Sequence, residues 1–129
     1  MKCAVLTGGG DCPGMNAFVR AVVRTLLNLS PESTVWGVLD GWYGLVHGHF
    51  RLLSKRDVSG IVMLGGTILG TMRFPEFETQ PELRERAARL LHEQGFDYLF
   101  VIGGNGSVKA SYALERILRE RGWNVRILV

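Results

Sequence analysis

The chain has 129 residues, the size of one domain, and 47% of them are hydrophobic and 21% charged, which predicts a packed core and excludes a disordered segment. The net charge is +3, and the basic residues alternate with glutamates along helix-like segments, a pattern that argues against a nucleic-acid partner. No hydrophobic run approaches the roughly 20 residues of a membrane span and the first residues do not resemble a signal peptide, so we expect a cytoplasmic protein without a membrane partner.

The first half of the chain predicts a strand, a helix and a second strand. Residues 3–6 are a short apolar run ended by glycines, which is typical of a buried strand. A glycine-rich turn at residues 8–14 follows, and then apolar residues recur at helical spacing. These are Met15, Val19, Val22, Val23 and Leu26. Residues 28–33 form a turn cluster, and TVWGVL at 34–39 predicts the second strand.

The middle of the chain is rich in glycine. Residues 40–48, DGWYGLVHG, predict a loop because they contain three glycines. Residues 57–77 contain four more, and we expect a short strand or helix there that leads into a long functional loop.

The last third of the chain again alternates helix and strand. A helix is predicted from Pro81 to a stop at Gly95, and YLFVI at residues 98–102 predicts a strand. A second glycine-rich turn, GGNGS at 103–107, opens a helix that ends at Gly122. NVRILV at residues 124–129 predicts the last strand.

Alternating strands and helices predict parallel βαβ units. The expected fold is therefore α/β, a three-layer Rossmann-like sandwich with a mainly parallel sheet. In such a sheet the carboxyl ends of the strands share one edge, where ligands bind. Both glycine-rich turns follow a strand and open a helix, whose free N–H groups attract phosphate. The two turns together predict a site for one or two anionic ligands.

Two well-known phosphate-binding patterns do not fit the first turn. Gly9 and Gly14 have Walker A spacing, but the lysine is missing. Pro13 replaces the third glycine of a dinucleotide fingerprint, although Asp40 ends the second strand where a ribose-binding acid would lie. A dinucleotide-binding module therefore remains an alternative. Cys3 and Cys12 fit no metal-binding spacing and are interpreted as structural.

Three motifs carry a family resemblance. TGGGDCPGMNAFVR, GGTILGTMRFPEF and VIGGNGS occur in the order and at the spacing of the 6-phosphofructokinase family, with DGWYGL between the first two. Over essentially its whole length the chain resembles the N-terminal portion of the ATP-dependent type, so residues 1–129 are expected to be a single partial, nucleotide-binding domain. The resemblance implies phosphoryl transfer from ATP to the 1-hydroxyl of fructose 6-phosphate, with Mg²⁺ as cofactor. It also implies a homo-oligomer, a tetramer at full length.

The resemblance also implies roles for individual residues. Gly10 matches a backbone contact to the nucleotide phosphates, and Arg73 matches the catalytic cation that bridges the transferring phosphoryl group. Trp42 and Phe74 match positions near the nucleotide. The metal and phosphate turn corresponds to Asn105, Gly106 and Ser107, with Asn105 at the metal position. Two alternatives stay open: Arg73 as a surface residue paired with Glu76 or Glu78, and Trp42 as a packing residue.

The sequence departs from the family pattern in three places. Asn105 stands where the family usually has Asp, and Ala110 replaces a glycine often found near the adenine. The Thr-Ile-Asp-Asn-Asp loop that carries the general base follows the position of Val129, so we expect residues 1–129 alone to be inactive. A non-catalytic nucleotide-binding fragment is the alternative function.

Two further expectations come from the resemblance. Pyrophosphate-dependent relatives commonly have Asp at the position of Gly106, so glycine there favours ATP over pyrophosphate as the donor. Arg20, Arg24 and Lys55 are similar to positions of an allosteric nucleoside-diphosphate site in bacterial relatives, or else form a solvated basic face.

Overall fold

The computed structural model describes residues 1–9 and 14–129, except for the side chain of Met63. Within them the strands are β1 Lys2–Thr7, β2 Thr34–Val38, β3 Phe50–Leu53, β4 Tyr98–Ile102 and β5 Arg126–Leu128. The helices are α1 Met15–Leu29, α2 Gly41–His47, α3 Glu76–Thr79, α4 Pro81–Glu93 and α5 Asn105–Glu120, together with a short 3-10 helix at Ile61–Met63.

The strands form one mostly parallel sheet in the order β3-β2-β1-β4-β5. β1 pairs in parallel with β2 and β4, and Val5 lies between Gly37 and Phe100. β5 is parallel to β4, whereas β3 is antiparallel to β2. The parallel pairing places the ends of β1, β2 and β4 at one edge of the sheet.

Helices cover both faces of the sheet, which confirms the predicted three-layer α/β fold. Alternate residues of β1 point to opposite faces, as the pleat of a strand requires: Ala4 and Leu6 belong to one buried cluster and Val5 to another. The first cluster is closed by α2, α4 and α5, and the second by α1 and the 3-10 helix. Cys3 is fully buried on β1, and burial raises the pKa of its thiol, which agrees with a structural role. Cys12 lies outside the described residues.

The loop prediction for residues 40–48 is wrong, because α2 occupies most of them. The buried residues Trp42, Leu45 and Val46 have the i, i+3, i+4 spacing of a helix, but the glycines around them hid this period. A Cβ on Gly44 would collide with the carbonyl of Leu39, so glycine lets α2 pack directly against the end of β2.

Strand β3 was not predicted. It has four residues at an edge of the sheet, and Arg51 and Leu52 are exposed, so it lacks the apolar run of a buried strand. For residues 57–77 we expected a short strand or helix leading into a long functional loop; the structure has a 3-10 helix there, and the function of the loop stays a prediction. No helix of the described residues combines the length and hydrophobicity needed to cross a membrane.

Candidate functional site

A cleft of about 650 Å³ opens at the carboxyl edge of the parallel strands. This volume falls in the range of small-molecule sites, about 300–1,000 Å³. Its walls come from the two glycine-rich turns, from α2, and from the segment that runs into α3. The residues that line it are Gly9, Trp42, Thr71, Met72, Arg73, Phe74, Pro75, Phe77, Glu78, Gly104, Gly106, Ser107 and Ala110.

The two glycine-rich turns lie against each other. The amide of Gly8 donates to the carbonyl of Ile102 at 2.8 Å, so the turn after β1 is fastened to the end of β4. A Cβ on Gly103 would lie 2.5 Å from Ser107 Oγ and 3.0 Å from the carbonyl oxygen of Gly8. Only glycine allows this approach. The described residues of both turns thus lie together at one edge of the sheet as predicted, and one or two anionic ligands there stay a prediction.

Ser107 is part of the scaffold beneath the second turn. Its buried Oγ accepts a hydrogen bond from Trp42 Nε1 at 3.2 Å, and its carbonyl accepts one from Ser111 Oγ at 2.8 Å. The Ser107 hydroxyl keeps its own hydrogen as a donor, and the turn also offers the backbone N–H groups at the start of α5 to a ligand.

Trp42 also packs against the wall of the cleft. Its ring stacks on Phe77 with centroids 5.1 Å apart, and both side chains are buried. The packing interpretation of Trp42 is thus confirmed, and a contact to a nucleotide stays a prediction. Phe74 is half-buried and meets Tyr43 edge to face at 5.4 Å.

Two buried polar residues hold the loop that carries Arg73. Asn16 on α1 donates to the carbonyl of Leu64 and accepts from the amide of Ile68, at 3.2 and 2.7 Å. Thr7 at the end of β1 donates to the carbonyl of Gly70 at 3.2 Å and shares a hydrogen bond with Thr67 at 3.0 Å. Neither role was predicted from the sequence, although both residues lie within the first glycine motif.

The cleft contains one cationic and one anionic side chain among its described residues. Arg73 is exposed, and in the described part of the chain it forms no ion pair with Glu76 or Glu78. The alternative that Arg73 pairs with Glu76 or Glu78 at the surface is therefore not supported by the described residues. Glu78 faces the second turn, since a Cβ on Gly106 would lie 3.2 Å from its Oε1. An exposed glutamate on a four-residue helix gives no signal in the sequence, so Glu78 was not predicted.

Arg84 on α4 fixes the end of α3. Its Nη1 donates to the carbonyl oxygens of Phe77 and Glu78 at 2.7 and 2.9 Å. The last carbonyls of a helix have no partner within the helix. Arg84 satisfies two of them and thereby sets the position of the Glu78 backbone beside the cleft.

Some predicted residues lie at the rim of the site or outside the described residues. Gly10, with Asp11 and Cys12, lies outside them. Asn105 is the exposed first residue of α5, directly before Gly106. Asp40 does not line the cleft: its Oδ1 would be 2.9 Å from a Cβ on Gly70, so its carboxylate faces the loop.

The candidate allosteric residues lie away from the cleft. Arg20 and Arg24 are on successive turns of α1, and Lys55 Nζ donates to Asn28 Oδ1, one turn further along the same helix. This hydrogen bond brings Lys55 to the helix that carries the two arginines.

Comparison with known proteins agrees with the motifs. The family model described as "Phosphofructokinase" matches residues 2–128. The ATP-dependent 6-phosphofructokinase of Actinobacillus succinogenes is 54% identical over 106 residues, which are 82% of this chain and 32% of that protein. The enzyme of the same name from Vibrio parahaemolyticus is 52% identical over 116 residues, 90% of this chain and 35% of that protein. The chain thus spans about a third of the length of these curated relatives.

Solved structures show the same architecture. Phosphofructokinase from Saccharomyces cerevisiae superposes with a TM-score of 0.82 at 36% identity, over 98% of this chain and 19% of that chain. A pyrophosphate-dependent phosphofructokinase from Marinobacter aquaeolei superposes with a TM-score of 0.85 at 17% identity, over 98% of this chain and 32% of that chain. At that identity the second likeness concerns the fold alone.

Proposed function

Since this chain belongs to the phosphofructokinase family, we propose that residues 1–129 form the ATP-binding and Mg²⁺-binding part of an ATP-dependent 6-phosphofructokinase. The reaction is transfer of the γ-phosphoryl group of ATP to the 1-hydroxyl of fructose 6-phosphate. One observation carries the proposal: both glycine-rich turns and the loop bearing Arg73 meet in a single cleft.

The second turn supplies the phosphate-binding groups. The amides of Gly106 and Ser107 lie in the first turn of α5, where backbone N–H groups have no intrahelical acceptor. The partial positive charge of the helix N-terminus adds to their attraction for phosphate. Met72, Phe74 and Ala110 give the cleft an apolar part suited to a nucleobase.

Arg73 is proposed as the catalytic cation. Phosphoryl transfer depends mainly on positioning and on stabilising the charge that spreads over the transferring group. An arginine that projects into the cleft without a described ion-pair partner keeps its charge available for that group. Thr7 and Asn16 hold the segment that leads to Arg73 through the carbonyl of Gly70 and the amide of Ile68.

The described residues fit a Mg²⁺ ion that arrives with the nucleotide better than a resident metal centre. Among them no group of three or more His, Cys, Asp or Glu side chains is placed to hold a metal. Mg²⁺ commonly binds through one or two protein oxygens, water and substrate phosphates. Asn105, at the start of α5, is the proposed amide ligand. Bound there, the ion would neutralise charge on the phosphates.

ATP is the proposed donor. Gly106 adds no side chain to the phosphate turn, and the relatives at about 50% identity are named as ATP-dependent enzymes. We extend the proposal to Arg20, Arg24 and Lys55 as part of a nucleoside-diphosphate effector site, supported by the bond between Lys55 and Asn28. Assembly into a homo-oligomer is proposed from the family alone.

Calorimetry with ATP and a coupled assay with fructose 6-phosphate test this function. We expect the protein that carries this chain at its full natural length to bind ATP and to phosphorylate fructose 6-phosphate. Residues 1–129 alone are expected to show no turnover, because they span about a third of the length of the curated relatives. Binding of pyrophosphate without binding of ATP would contradict the proposed donor.

A further inference from the structure

We propose that the carboxylate of Glu78 holds the magnesium ion on the phosphates of the bound nucleotide, and supplies the negative charge that Asn105 lacks. This inference rests on the proposed function, since it assigns a residue to the same site. It concerns a glutamate on the wall opposite the phosphate turn, and not the turn itself.

Position is the first argument. Glu78 is the only carboxylate among the cleft-lining residues that the structure describes. Its Oε1 would lie 3.2 Å from a Cβ on Gly106, so the carboxylate borders the backbone that is proposed to bind phosphate. Asn105, the residue before Gly106, is the exposed first residue of α5 and carries a neutral amide. A cation on phosphates bound at this turn would thus lie beside the Glu78 carboxylate.

Charge is the second argument. A carboxylate beside a phosphate turn repels a triphosphate unless a cation lies between them. The effective dielectric near a protein surface is lower than that of water, so charges in the cleft interact more strongly than they would in bulk solvent. With Mg²⁺ present, the same carboxylate becomes attractive. Glu78 therefore makes the affinity for ATP depend strongly on the metal.

Exposure and support form the third argument. The Glu78 side chain is exposed, so it can meet a hydrated ion, and Mg²⁺ keeps several of its water ligands when it binds. Its backbone, in contrast, is held by Arg84 through the Glu78 carbonyl at 2.9 Å. A fixed backbone with a solvated carboxylate suits a ligand that binds the ion directly or through water.

The main competing role for Glu78 is exclusion of nucleotide. In that case its charge would occupy the space of the α-phosphate and favour a shorter donor such as pyrophosphate. The two roles predict different effects of the metal on ATP affinity. A residue that only repels phosphate lowers the affinity for ATP whether or not Mg²⁺ is bound.

The test is calorimetry of ATP binding, with excess Mg²⁺ and with a chelator, on the protein at its full natural length. Glu78→Gln removes the charge and keeps the shape. Glu76→Gln makes the same change on the same helix outside the cleft. We expect Glu78→Gln to bind metal-free ATP more tightly and Mg-ATP more weakly, and to reduce the gain from Mg²⁺ by about tenfold. Glu76→Gln should leave that gain unchanged.

A second variant keeps the test independent of one substitution. Adding Asn105→Asp to Glu78→Gln places a carboxylate at the start of α5, directly before Gly106, and we expect it to restore the gain from Mg²⁺. Mn²⁺ in place of Mg²⁺, followed by electron paramagnetic resonance, should show weaker metal retention in Glu78→Gln than in Glu76→Gln.

The outcomes separate this inference from the proposed function. If Glu78→Gln raises the affinity for ATP equally with and without metal, the exclusion role is established and the metal role is overturned. An unchanged gain from Mg²⁺ would also overturn it. If the unmodified protein binds no ATP under either condition, the proposed function itself fails, and this inference fails with it.

Discussion

The cleft and the surface around Trp123 use charged side chains in opposite ways. Around Trp123, Glu85 pairs with Arg89 at 3.7 Å and with Arg121, and His92 stacks on the indole with centroids 4.7 Å apart. Trp123 precedes β5, so this group lies toward the amino end of a parallel strand. We call these five residues the Trp123 cluster; its one carboxylate pairs with both of its arginines.

In the cleft, the charged side chains of the lining do not pair with one another. Thr7, Asn16 and Ser107 fasten loops and turns through hydroxyl and amide groups, and Arg84 holds the end of α3 through backbone carbonyls. Arg73 and Glu78 form no ion pair within the described residues. The comparison teaches that a site keeps the charges of its lining for a ligand when other groups hold its backbone. Charges in the cleft should therefore affect activity, and charges in the Trp123 cluster should affect stability slightly.

The largest expected effect is that of Arg73→Met. Removing the proposed catalytic cation should lower kcat by about 10²–10³-fold, the usual cost of deleting one group that stabilises transition-state charge. The melting temperature should stay close to that of the unmodified protein, because Arg73 is exposed. Arg89→Met in the Trp123 cluster is the matched control and should retain kcat. If Arg73→Met and Arg89→Met lowered kcat to a similar extent, the contrast between the cleft and the Trp123 cluster would be wrong.

Gly8→Ala tests the contact between the two turns. Its Cβ would collide with Ser107 Oγ and lie 3.1 Å from Trp42 Nε1, so we expect a loss of about 1–3 kcal/mol of unfolding free energy. Gly104→Ala is the control, because its Cβ would meet nothing within 4 Å and its φ is −83°. Chemical denaturation measures both. Equal stability of the two variants would mean that the turns do not need this close approach.

Gly106→Asp adds a charge to the phosphate turn beside Glu78. ATP affinity should fall by more than about tenfold, or about 1.4 kcal/mol, because the new carboxylate faces the phosphates. Gly106→Asn adds nearly the same volume without charge, so its loss of ATP affinity should be smaller. Calorimetry compares the two, and equal losses would assign the effect to volume alone.

The smallest effect is expected from Glu85→Gln in the Trp123 cluster. Exposed ion pairs contribute about 0–1 kcal/mol, so the unfolding free energy should change by less than that and kcat should be retained. Thermal denaturation at low and high salt checks this, because salt screens an exposed pair. A loss of activity would show that the cluster communicates with the cleft.

The sequence predicted those elements whose pattern is local. β1 and β4 are continuous apolar runs, and α1 has an apolar stripe at helical spacing. Such patterns identify an element without knowledge of its partners in the fold. α2 was missed because Gly44, required by its contact with Leu39, obscured the period. β3 was missed because its pairing with β2 is a property of the sheet and not of a four-residue run in which only Leu53 is buried.

For the site, too, local motifs were predictable from the sequence, whereas contacts between distant residues were not. Glycine-rich turns between a strand and a helix indicated phosphate-binding backbone, and the motif order indicated Arg73. The bond from Trp42 to Ser107 joins residues 65 positions apart, which no local pattern reveals. Glu78 could not be predicted because a glutamate in a cleft and one in bulk water look alike in a sequence.

The bond between Trp42 and Ser107 also gives this protein an optical reporter. Of the three tryptophans, Trp42 alone lines the cleft, and its indole N–H donates to a residue of the phosphate turn. In a chain with Trp36→Phe and Trp123→Phe, all tryptophan emission would arise at that position. A ligand that shifts the turn would then alter the fluorescence intensity, so occupancy of the cleft could be followed in real time without a label.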